Sequence, residues 1–328
     1  MIAAPGFWWN TKPSLRAVAL SPAALAWGAI AARRIAGKGW DCGVPVICVG
    51  NFVAGGAGKT PVAIAVAEIA RRLGMAPFLL SRGHGGKSGA TPVLVDPARH
   101  SARDVGDEPL LLARTAPVIV SADRRAGARA ATEAGATVII MDDGLQNPSL
   151  RKTLAIAVID AEVGIGNAMC IPSGPLRAPM AAQWPLVDAL VTRGEGDPGR
   201  ALSRWATGLG KPAFAAQLTP DNAIAAAMRG KKVMAFAGIG RPEKFFATLK
   251  DVGADLAGWR SFADHHNFTE AELTALTREA SALDATLVTT EKDAARLPPG
   301  FAAHAFPVRA AFADPSGFEA LLAQALRG

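Results

Sequence analysis

Tyrosine is absent from the sequence and cysteine is scarce, and both shortages restrict the chemistry that the chain can perform. Its 328 residues include no tyrosine and three cysteines, Cys42, Cys48 and Cys170. No tyrosine hydroxyl is therefore available for catalysis. The cysteines form no C-x-x-C pair and one is left over, so reduced thiols are expected rather than a disulfide framework.

Acidic residues are also in the minority. Lysine and arginine total 35 against 28 aspartates and glutamates, which gives a net charge of +7. The excess suits an anionic partner, such as a nucleotide, a nucleic acid, a phospholipid or a phosphorylated substrate, without choosing among them. The length, with 50% of residues hydrophobic and 19% charged, favours a globular protein of about two domains, either soluble or attached to a membrane.

The sequence has no strong membrane-spanning run, although one N-terminal stretch comes close. Residues 15–32 would form about 27 Å of helix, near the thickness of a bilayer core, but Pro22 and Gly28 interrupt a stretch that is rich in alanine. A signal peptide, a spanning helix and a helix packed on the domain are alternatives. We favour a helix that lies in the membrane interface, flanked by cations that face anionic lipid. Three tryptophans are then expected at headgroup level, namely Trp8, Trp9 and Trp27.

From residue 44 onward, short apolar runs alternate with helical stretches, a pattern typical of an α/β protein. The runs are continuous rather than alternating, which indicates a mostly parallel sheet covered by helices. The predicted strands of this sheet are Val44–Val49, Pro77–Leu80, Pro117–Val120, Thr137–Met141, Leu154–Ile159 and Ala189–Thr192. A second block predicts a smaller α/β domain with strands at Lys232–Ala237 and Thr286–Thr290. We therefore divide the chain into an N-terminal helix region (1–40), a main domain (41–225) and a smaller C-terminal domain (226–328).

The stretch Val49–Pro61, VGNFVAGGAGKTP, ends as a phosphate-binding loop does, in glycine, lysine and threonine. The pattern G-x-x-x-x-G-K-[ST] also asks for a glycine at the position of Val53, so the match is incomplete. The context nevertheless supports a P-loop, because a strand precedes it and a helix over 61–73 follows it. Lys59 supplies a positive charge, Thr60 supplies a hydroxyl for Mg²⁺, and the glycines let the backbone approach phosphate closely. The predicted fold is therefore P-loop NTPase-like.

A pair of carboxylates follows the predicted strand Thr137–Met141. Asp142 and Asp143 lie in VIIMDDG, and P-loop enzymes use an apolar strand ending in aspartate to hold Mg²⁺ near bound phosphates. D-D-G is also a good turn sequence, so a capped turn is the alternative. Together with the glycine-rich loop, the pair predicts that at least one aspartate binds the metal.

These motifs, taken in order, closely resemble one family. After the loop come SRGHGG (81–86), GDEP (106–109), DDGLQ (142–146), PSGPLRAP (172–179), FADHH (262–266) and TTEKDAARL (289–297). The set resembles tetraacyldisaccharide 4′-kinase, the lipid A 4′-kinase of Gram-negative bacteria, whose loop also lacks glycine at the position of Val53. The resemblance implies transfer of the γ-phosphoryl group of ATP, with Mg²⁺, to the 4′-hydroxyl of tetraacyldisaccharide 1-phosphate, giving lipid IVA and ADP. It also implies a membrane-associated N-terminal helix at the cytoplasmic face of the inner membrane.

The resemblance further implies roles for individual residues. Asp107 in GDEP matches the catalytic base, and His265 in FADHH matches the histidine that orients it, a pair through which the carboxylate would pass its proton onward. From the residues alone, Asp107 is equally a helix N-cap. Of the two adjacent histidines, His266 is expected to be structural. Arg177 and Arg124 match arginines near the active site that are suited to holding phosphate charge.

The other predicted site residues belong to the nucleotide and the metal. Nucleotide binding is assigned to Asn51, Gly55, Gly56, Ala57, Gly58, Lys59, Thr60, Pro61 and Gln146. Metal binding is assigned to Thr60, Asp142 and Asp143, and Lys59 is also counted as catalytic. No chemistry is assigned to the segment 291–293.

Two other classes of P-loop protein are weaker hypotheses. A GTPase would carry an [NT]-K-x-D element, but Lys292 and Asp293 are adjacent, and a metallochaperone would show clustered cysteine or histidine ligands. A DNA-associated ATPase would gather its basic residues into a stripe, whereas here they are scattered outside the flanks of the N-terminal helix. The expected partners are therefore the glycolipid and the inner-membrane surface, with no nucleic acid and no obligate protein partner.

Overall fold

The computed structural model describes residues 4–56, 58–87 and 89–327. Ala57, one of the predicted nucleotide-binding residues, lies outside the described residues. The strands are, in chain order, β1 (Val46–Gly50), β2 (Pro77–Ser81), β3 (Val93–Leu94), β4 (Val118–Val120), β5 (Val138–Asp142), β6 (Leu154–Asp160), β7 (Ala189–Arg193), β8 (Ala213–Pro220), β9 (Lys232–Ala237), β10 (Asp255–Ser261), β11 (Thr286–Thr290), β12 (His304–Phe306) and β13 (Val308–Phe312).

The helices surround two sheets. They are α1 (Leu15–Ala19), α2 (Ser21–Ile35), α3 (Lys59–Arg72), α4 (Ala102–Val105), α5 (Asp107–Leu112), α6 (Arg124–Glu133), α7 (Met180–Gln183), α8 (Asp197–Gly208), α9 (Asn222–Met228), α10 (Pro242–Asp251), α11 (Glu270–Ala282), α12 (Glu291–Ala294) and α13 (Pro315–Arg327). Short 3-10 turns lie at Gly6–Trp9 and Trp184–Leu186.

The large sheet has nine strands in the order β13-β8-β7-β6-β1-β5-β2-β4-β3. Its inner pairs are parallel, and only the two edge pairs, β13 with β8 and β3 with β4, are antiparallel. Every residue of β1, β5 and β6 is buried, because helices cover both faces and each face needs apolar side chains. The predicted mixed α/β class with a large, mostly parallel sheet is confirmed, and the strand boundaries moved by one or two residues.

The smaller sheet is parallel and has the order β10-β9-β11-β12. Its core includes Phe245, Phe246 and Phe306. After β12 the chain returns to the large sheet, where β13 pairs with β8 and Phe318 of α13 stacks on Phe312. The sequence places residues 308–327 in the smaller domain, whereas the sheet pairing joins them to the large one. The reason is that the partner of a short edge strand is decided by tertiary packing rather than by its own pattern.

The N-terminal segment is folded as two helices that meet at Leu20, with Pro22 in the first turn of α2. Small residues, including Ala24, Gly28 and Ala31, line the buried side of α2. In the described part of the chain, no helix is long and apolar enough to cross a membrane.

The expectation that Trp8 lies at headgroup level is wrong. Its side chain is buried, and its Nε1 donates to the carbonyl oxygen of Pro172 at 2.9 Å. Trp9 is partly buried against the core of the large sheet, whereas Trp27 is 42% exposed. Position in the sequence therefore did not reveal which of the tryptophans faces solvent.

Candidate active site

The glycine-rich loop runs from the carboxyl end of β1 to the first turn of α3. Gly55 and Gly58 adopt φ angles of 110° and 76°, which side-chain-bearing residues rarely adopt. Lys59, Thr60 and Pro61 form the first turn of α3, which carries no acidic residue. The partial positive charge of the helix N-terminus and the ammonium of Lys59 therefore lie at the same place.

The side chains of Asn51 and Gln146, both predicted to bind the nucleotide, donate to backbone carbonyl oxygens at the start of the loop and within it. The buried Asn51 donates from Nδ2 to the carbonyl oxygen of Gly55 at 3.3 Å. Gln146 donates from Nε2 to the carbonyl oxygen of Asn51 at 2.7 Å. Both amides hold loop backbone, so we expect them to fix the shape of the loop.

The two aspartates at the carboxyl end of β5 have opposite electrostatic environments. Asp142 is buried next to β1, and its Oδ1 has no hydrogen-bond partner among the described residues. Burial and the charge of Glu108 raise the pKa of Asp142 to about 7. Asp143 lies at a φ of 54°, and its carboxylate accepts hydrogen bonds from Arg177. Burial raises the pKa of Asp143, but Lys59 and Arg177 outweigh this effect and hold it below its ordinary value.

Arg177 connects the loop to the end of β5. Its Nε donates to the carbonyl oxygen of Val53 at 2.9 Å, and its two terminal nitrogens contact Asp143. Arg124 is buried at the start of α6, where its Nη1 donates to the carbonyl oxygen of Ser121 at 2.5 Å. Burial, followed by the charge of Arg82, lowers the pKa of Arg124, while Asp143 and Asp142 oppose the change. The neighbouring Arg125 is exposed and donates to the carbonyl oxygen of Ser149, whereas the charge of Arg124 interacts with Asp142 and Asp143.

Asp107 and His265 meet although 158 residues separate them. The Nδ1 atom of His265 is 3.0 Å from Oδ2 of Asp107, which is 5% exposed. Burial raises the pKa of Asp107, but the hydrogen bond from His265 and the charge of Lys292 outweigh it, so the pKa is below its ordinary value. The N-cap alternative is wrong, because Gly106 is the N-cap of α5 and Asp107 is its first residue. A buried carboxylate is therefore held ionised at a fixed position.

His266 bonds to Glu272 at 3.0 Å and stacks on Phe262, which agrees with a structural role.

Two charged residues in this region were not predicted. Lys292 places Nζ 3.1 Å from Nε2 of His265. Arg193, at the end of β7, lies against Gly58 and pairs with Asp160. Arg193 ends a parallel strand and Lys292 comes two residues after one, and the carboxyl ends of parallel strands are where functional side chains are expected in such sheets.

Comparison with known proteins identifies the family. The sequence profile described as tetraacyldisaccharide-1-P 4′-kinase matches residues 16–327. A tetraacyldisaccharide 4′-kinase from Methylobacterium sp. (strain 4-46) is 56% identical over 327 residues, covering 99% of this chain and 98% of that protein. The chain belongs to the tetraacyldisaccharide-1-P 4′-kinase family. A second kinase of that name, from Bradyrhizobium sp. (strain BTAi1), is 49% identical over 333 residues, covering 98% of this chain and 95% of that protein.

A solved structure of the same family has the same fold. The crystal structure of LpxK from Aquifex aeolicus in complex with ATP superposes with a TM-score of 0.74 at 25% identity. The superposition covers 95% of this chain and 100% of the LpxK chain. The family predicted from the motifs is confirmed, and so is the predicted enzyme class, an ATP-dependent kinase of lipid A biosynthesis.

Proposed function

We propose that the chain binds ATP and Mg²⁺ and phosphorylates the 4′-hydroxyl of tetraacyldisaccharide 1-phosphate, with Asp107 as the base that accepts the hydroxyl proton. The observation that carries the base assignment is the buried Asp107, held ionised 3.0 Å from His265. A sugar hydroxyl is a poor nucleophile, and a carboxylate that accepts its proton assists the attack on the γ-phosphorus.

The loop between β1 and α3 is the proposed phosphate-binding loop, and the fold around it is then P-loop NTPase-like. Its glycines leave the backbone open to phosphate oxygens, the N-terminus of α3 attracts negative charge, and Lys59 adds a full positive charge. Asn51 and Gln146 hold the loop in this shape through its carbonyl oxygens. Their role is therefore to prepare the loop before the nucleotide binds.

Asp142 and Thr60 fit the needs of Mg²⁺. Mg²⁺ is usually held by one or two carboxylates together with substrate phosphates and water. Asp142 offers a buried carboxyl oxygen that no described residue uses, and Thr60 lies in the first turn of α3. When bound, the ion neutralises charge on the phosphates. Asp143 is committed to Arg177 and Lys59, so we assign it to holding these cations rather than to binding the metal directly.

Arg177 and Arg124 are proposed to stabilise negative charge on the transferring group. Arg177 forms an ion pair with Asp143, and the charge of Arg124 interacts with both Asp142 and Asp143. Fixed cations in a site from which water is excluded stabilise a transition state more than mobile ones in solvent. The buried Arg124 and the three-point attachment of Arg177 meet this condition.

The N-terminal helices are proposed to lie on the cytoplasmic surface of the inner membrane. Five large apolar side chains of α1 and α2 are 42% to 90% exposed, namely Leu15, Val18, Leu25, Trp27 and Ile30. The indole Nε1 of Trp27 also donates to the carbonyl oxygen of Arg177 at 3.1 Å. The helix α2 is therefore bonded, through Trp27, to the backbone of the proposed active-site residue Arg177. This contact would hold the active site close to the membrane surface, where a glycolipid acceptor lies.

The test uses purified protein, Mg-ATP and tetraacyldisaccharide 1-phosphate, with a phosphate-sized mass gain of the glycolipid as the readout. We expect the gain with the unmodified protein, its loss in Lys59→Ala, and a rate about 10²- to 10⁴-fold lower in Asp107→Asn. Asp197→Asn is the control, because that side chain is 93% exposed on α8. No gain with the folded protein contradicts the substrate, and an Asp107→Asn variant as fast as the control contradicts the base.

A further inference from the structure

Lys292 lies on the side of His265 opposite to Asp107. Its Nζ is 3.1 Å from Nε2 of the imidazole, while Oδ2 of Asp107 is 3.0 Å from Nδ1. The lysine belongs to α12, which follows β11 of the smaller sheet, whereas Asp107 begins α5 beside the large sheet. The three side chains thus form a row in which both ring nitrogens are occupied.

The chemistry of the two outer groups decides where the ring proton is. An ammonium has three donors and no acceptor, so its short contact is a hydrogen bond only if Nε2 of His265 offers a lone pair. An ionised carboxylate is acceptor-only, so the contact at Nδ1 is a hydrogen bond only if Nδ1 carries the proton. The neutral tautomer with hydrogen on Nδ1 satisfies both contacts. The other tautomer turns a donor toward Lys292 and a lone pair toward Asp107, and an imidazolium also turns a donor toward the ammonium.

The other charged and titratable groups around the row are consistent with this assignment. Oδ1 of Asp264 is 3.9 Å from Nε2 of His265, farther away than the ammonium is. Oε1 of Glu108 and Oδ1 of Asp264 lie 3.5 Å and 4.0 Å from Nζ of Lys292. These two carboxylates face the hydrogens of the ammonium that do not point to His265. Nε of Arg296 is 3.6 Å from Oδ2 of Asp107. The ring of His84 meets His265 edge-on with centroids 6.5 Å apart.

We propose that Lys292 is a positioning residue that holds His265 in the Nδ1-protonated tautomer, so that His265 orients Asp107 and does not take its proton. The inference rests on the base role proposed above for Asp107. It replaces the expected relay, because the nitrogen that faces Asp107 already carries hydrogen and the far nitrogen faces a donor. In the reaction the hydroxyl proton passes to Asp107 as the sugar oxygen bonds to the γ-phosphorus, and the bond from the γ-phosphorus to the β,γ-bridging oxygen breaks, so that ADP leaves with that oxygen. The proton then leaves Asp107 for water.

The charge of Lys292 has a second consequence for the base. Burial raises the pKa of Asp107, and the hydrogen bond from His265 followed by the charge of Lys292 lowers it. Removing that charge should therefore raise the pKa of Asp107 and move the acidic limb of the pH–rate profile to higher pH. A residue that only stabilised the fold would leave this limb in place.

The direct test is ¹⁵N NMR of the imidazole nitrogens in full-length protein labelled at histidine. The chain has five histidines, and His265→Gln identifies the signals of His265 by their loss. We expect hydrogen on Nδ1 and a lone pair on Nε2 in the unmodified protein and in Lys292→Arg, which keeps a donor and a charge. Lys292→Met should shift the population toward hydrogen on Nε2. Lys232→Met, at an exposed position on β9, is the matched control.

Kinetics provide the second readout. Lys292→Met should lower kcat at least about tenfold with KM for ATP unchanged, and it should move the acidic limb of the pH–rate profile to higher pH. Lys292→Arg should retain most of the activity that Lys292→Met loses. Hydrogen on Nε2 in the unmodified protein overturns the inference even if Lys292→Met fails to fold. So does a Lys292→Met variant with unchanged imidazole signals and pH profile. The NMR readout needs no turnover, so a fully active Asp107→Asn would overturn the base role alone.

Discussion

Arg177 donates to both carboxylate oxygens of Asp143, from Nη1 at 2.7 Å and from Nη2 at 3.0 Å. The third nitrogen of the same guanidinium bonds to the carbonyl oxygen of Val53 in the glycine-rich loop. Nζ of Lys59 lies 3.8 Å from the same carboxylate. Asp143 therefore holds two cations beside the loop, and Val53, which breaks the strict P-loop pattern, contributes through its backbone.

This arrangement predicts that Arg177 cannot be replaced by lysine. A lysine is a point charge that cannot make two parallel bonds to one carboxylate and a third to the loop. We expect Arg177→Ala to lower kcat/KM by about 10²- to 10³-fold, the range for losing one fixed donor to developing charge. Arg177→Lys should recover little. Steady-state phosphorylation rates measure both, with Arg200→Ala, an exposed arginine paired on α8, as the control. A lysine variant with native rates would rule out the need for the planar group.

The raised pKa of Asp142 predicts that Mg²⁺-dependent ATP binding strengthens as the pH rises. Below about 7 the folded carboxyl keeps its proton, which must leave before the oxygen can hold the metal. The affinity should therefore fall by up to about tenfold per pH unit below that value and level off above it. Titration calorimetry over a range of about pH 6 to 8 measures this dependence. Asp142→Asn should bind weakly and without this slope.

The same shift predicts a stability effect in the metal-free protein. Because the pKa of Asp142 is higher in the folded chain than the ordinary value of about 3.9, its stabilising contribution is complete at low pH. That contribution is lost as the pH rises from about 3.9 to about 7. Asp142→Asn should thus have a Tm similar to that of the unmodified protein at about pH 4 and a higher Tm at about pH 8. Asp143→Asn should instead have a lower Tm than the unmodified protein at about pH 8, because the pKa of Asp143 is held below its ordinary value, and this loss should shrink as the pH falls below about 3.9. An Asp142→Asn variant without a pH-dependent gain contradicts the shift.

Six strands of the large sheet were predictable because they are buried on both faces, so their apolar runs are continuous in the sequence. The strand β8, which mixes buried and exposed residues, and the edge strands β3 and β13 were not predicted. Contacts between distant segments were not predictable from local pattern. Lys292 contacts His265 across 27 positions, and His265 reaches Asp107 across 158. Their meeting depends on how the two sheets are placed, which no periodicity encodes. Only the family resemblance paired Asp107 with His265, and it gave no role to Lys292.

Gly58 and Gly210 allow a controlled test of the loop. Their φ angles are 76° and 74°, so alanine imposes a similar backbone strain of about 1–2 kcal/mol at either position. A Cβ on Gly58 would also collide with the side chain of Arg193, whereas one on Gly210 would meet open space. Gly58→Ala should therefore weaken ATP binding and destabilise the fold more than Gly210→Ala does.

A double-mutant cycle isolates the contact between Gly58 and Arg193. Arg193→Ala removes the ion pair with Asp160 in either background. It should nevertheless cost less stability in Gly58→Ala than in Gly210→Ala, measured by denaturant unfolding, because the shorter side chain makes room for Cβ at position 58. Equal losses in the two single alanine variants would mean that only backbone strain acts at Gly58.

The exposed apolar residues of α2 predict membrane binding that depends on single side chains. Leu25 is 74% exposed, so Leu25→Glu should leave Tm nearly unchanged. Burial of one leucine side chain in lipid contributes roughly 1.5–3 kcal/mol, so its loss should weaken vesicle binding at least about tenfold. Leu94→Glu is the matched control, because Leu94 is 54% exposed on β3, outside the N-terminal helices.

Co-sedimentation with vesicles that contain anionic phospholipid measures the effect, and added salt separates its two sources. Five cations lie in or beside the N-terminal helices, namely Lys12, Arg16, Arg33, Arg34 and Lys38. Their attraction to anionic lipid should weaken as ionic strength rises, whereas the leucine contribution should persist. Because Trp27 joins α2 to the backbone of Arg177, Leu25→Glu should also slow phosphorylation of glycolipid in vesicles more than of glycolipid dispersed in detergent. Equal binding by Leu25→Glu and Leu94→Glu would place the membrane contact elsewhere on the chain.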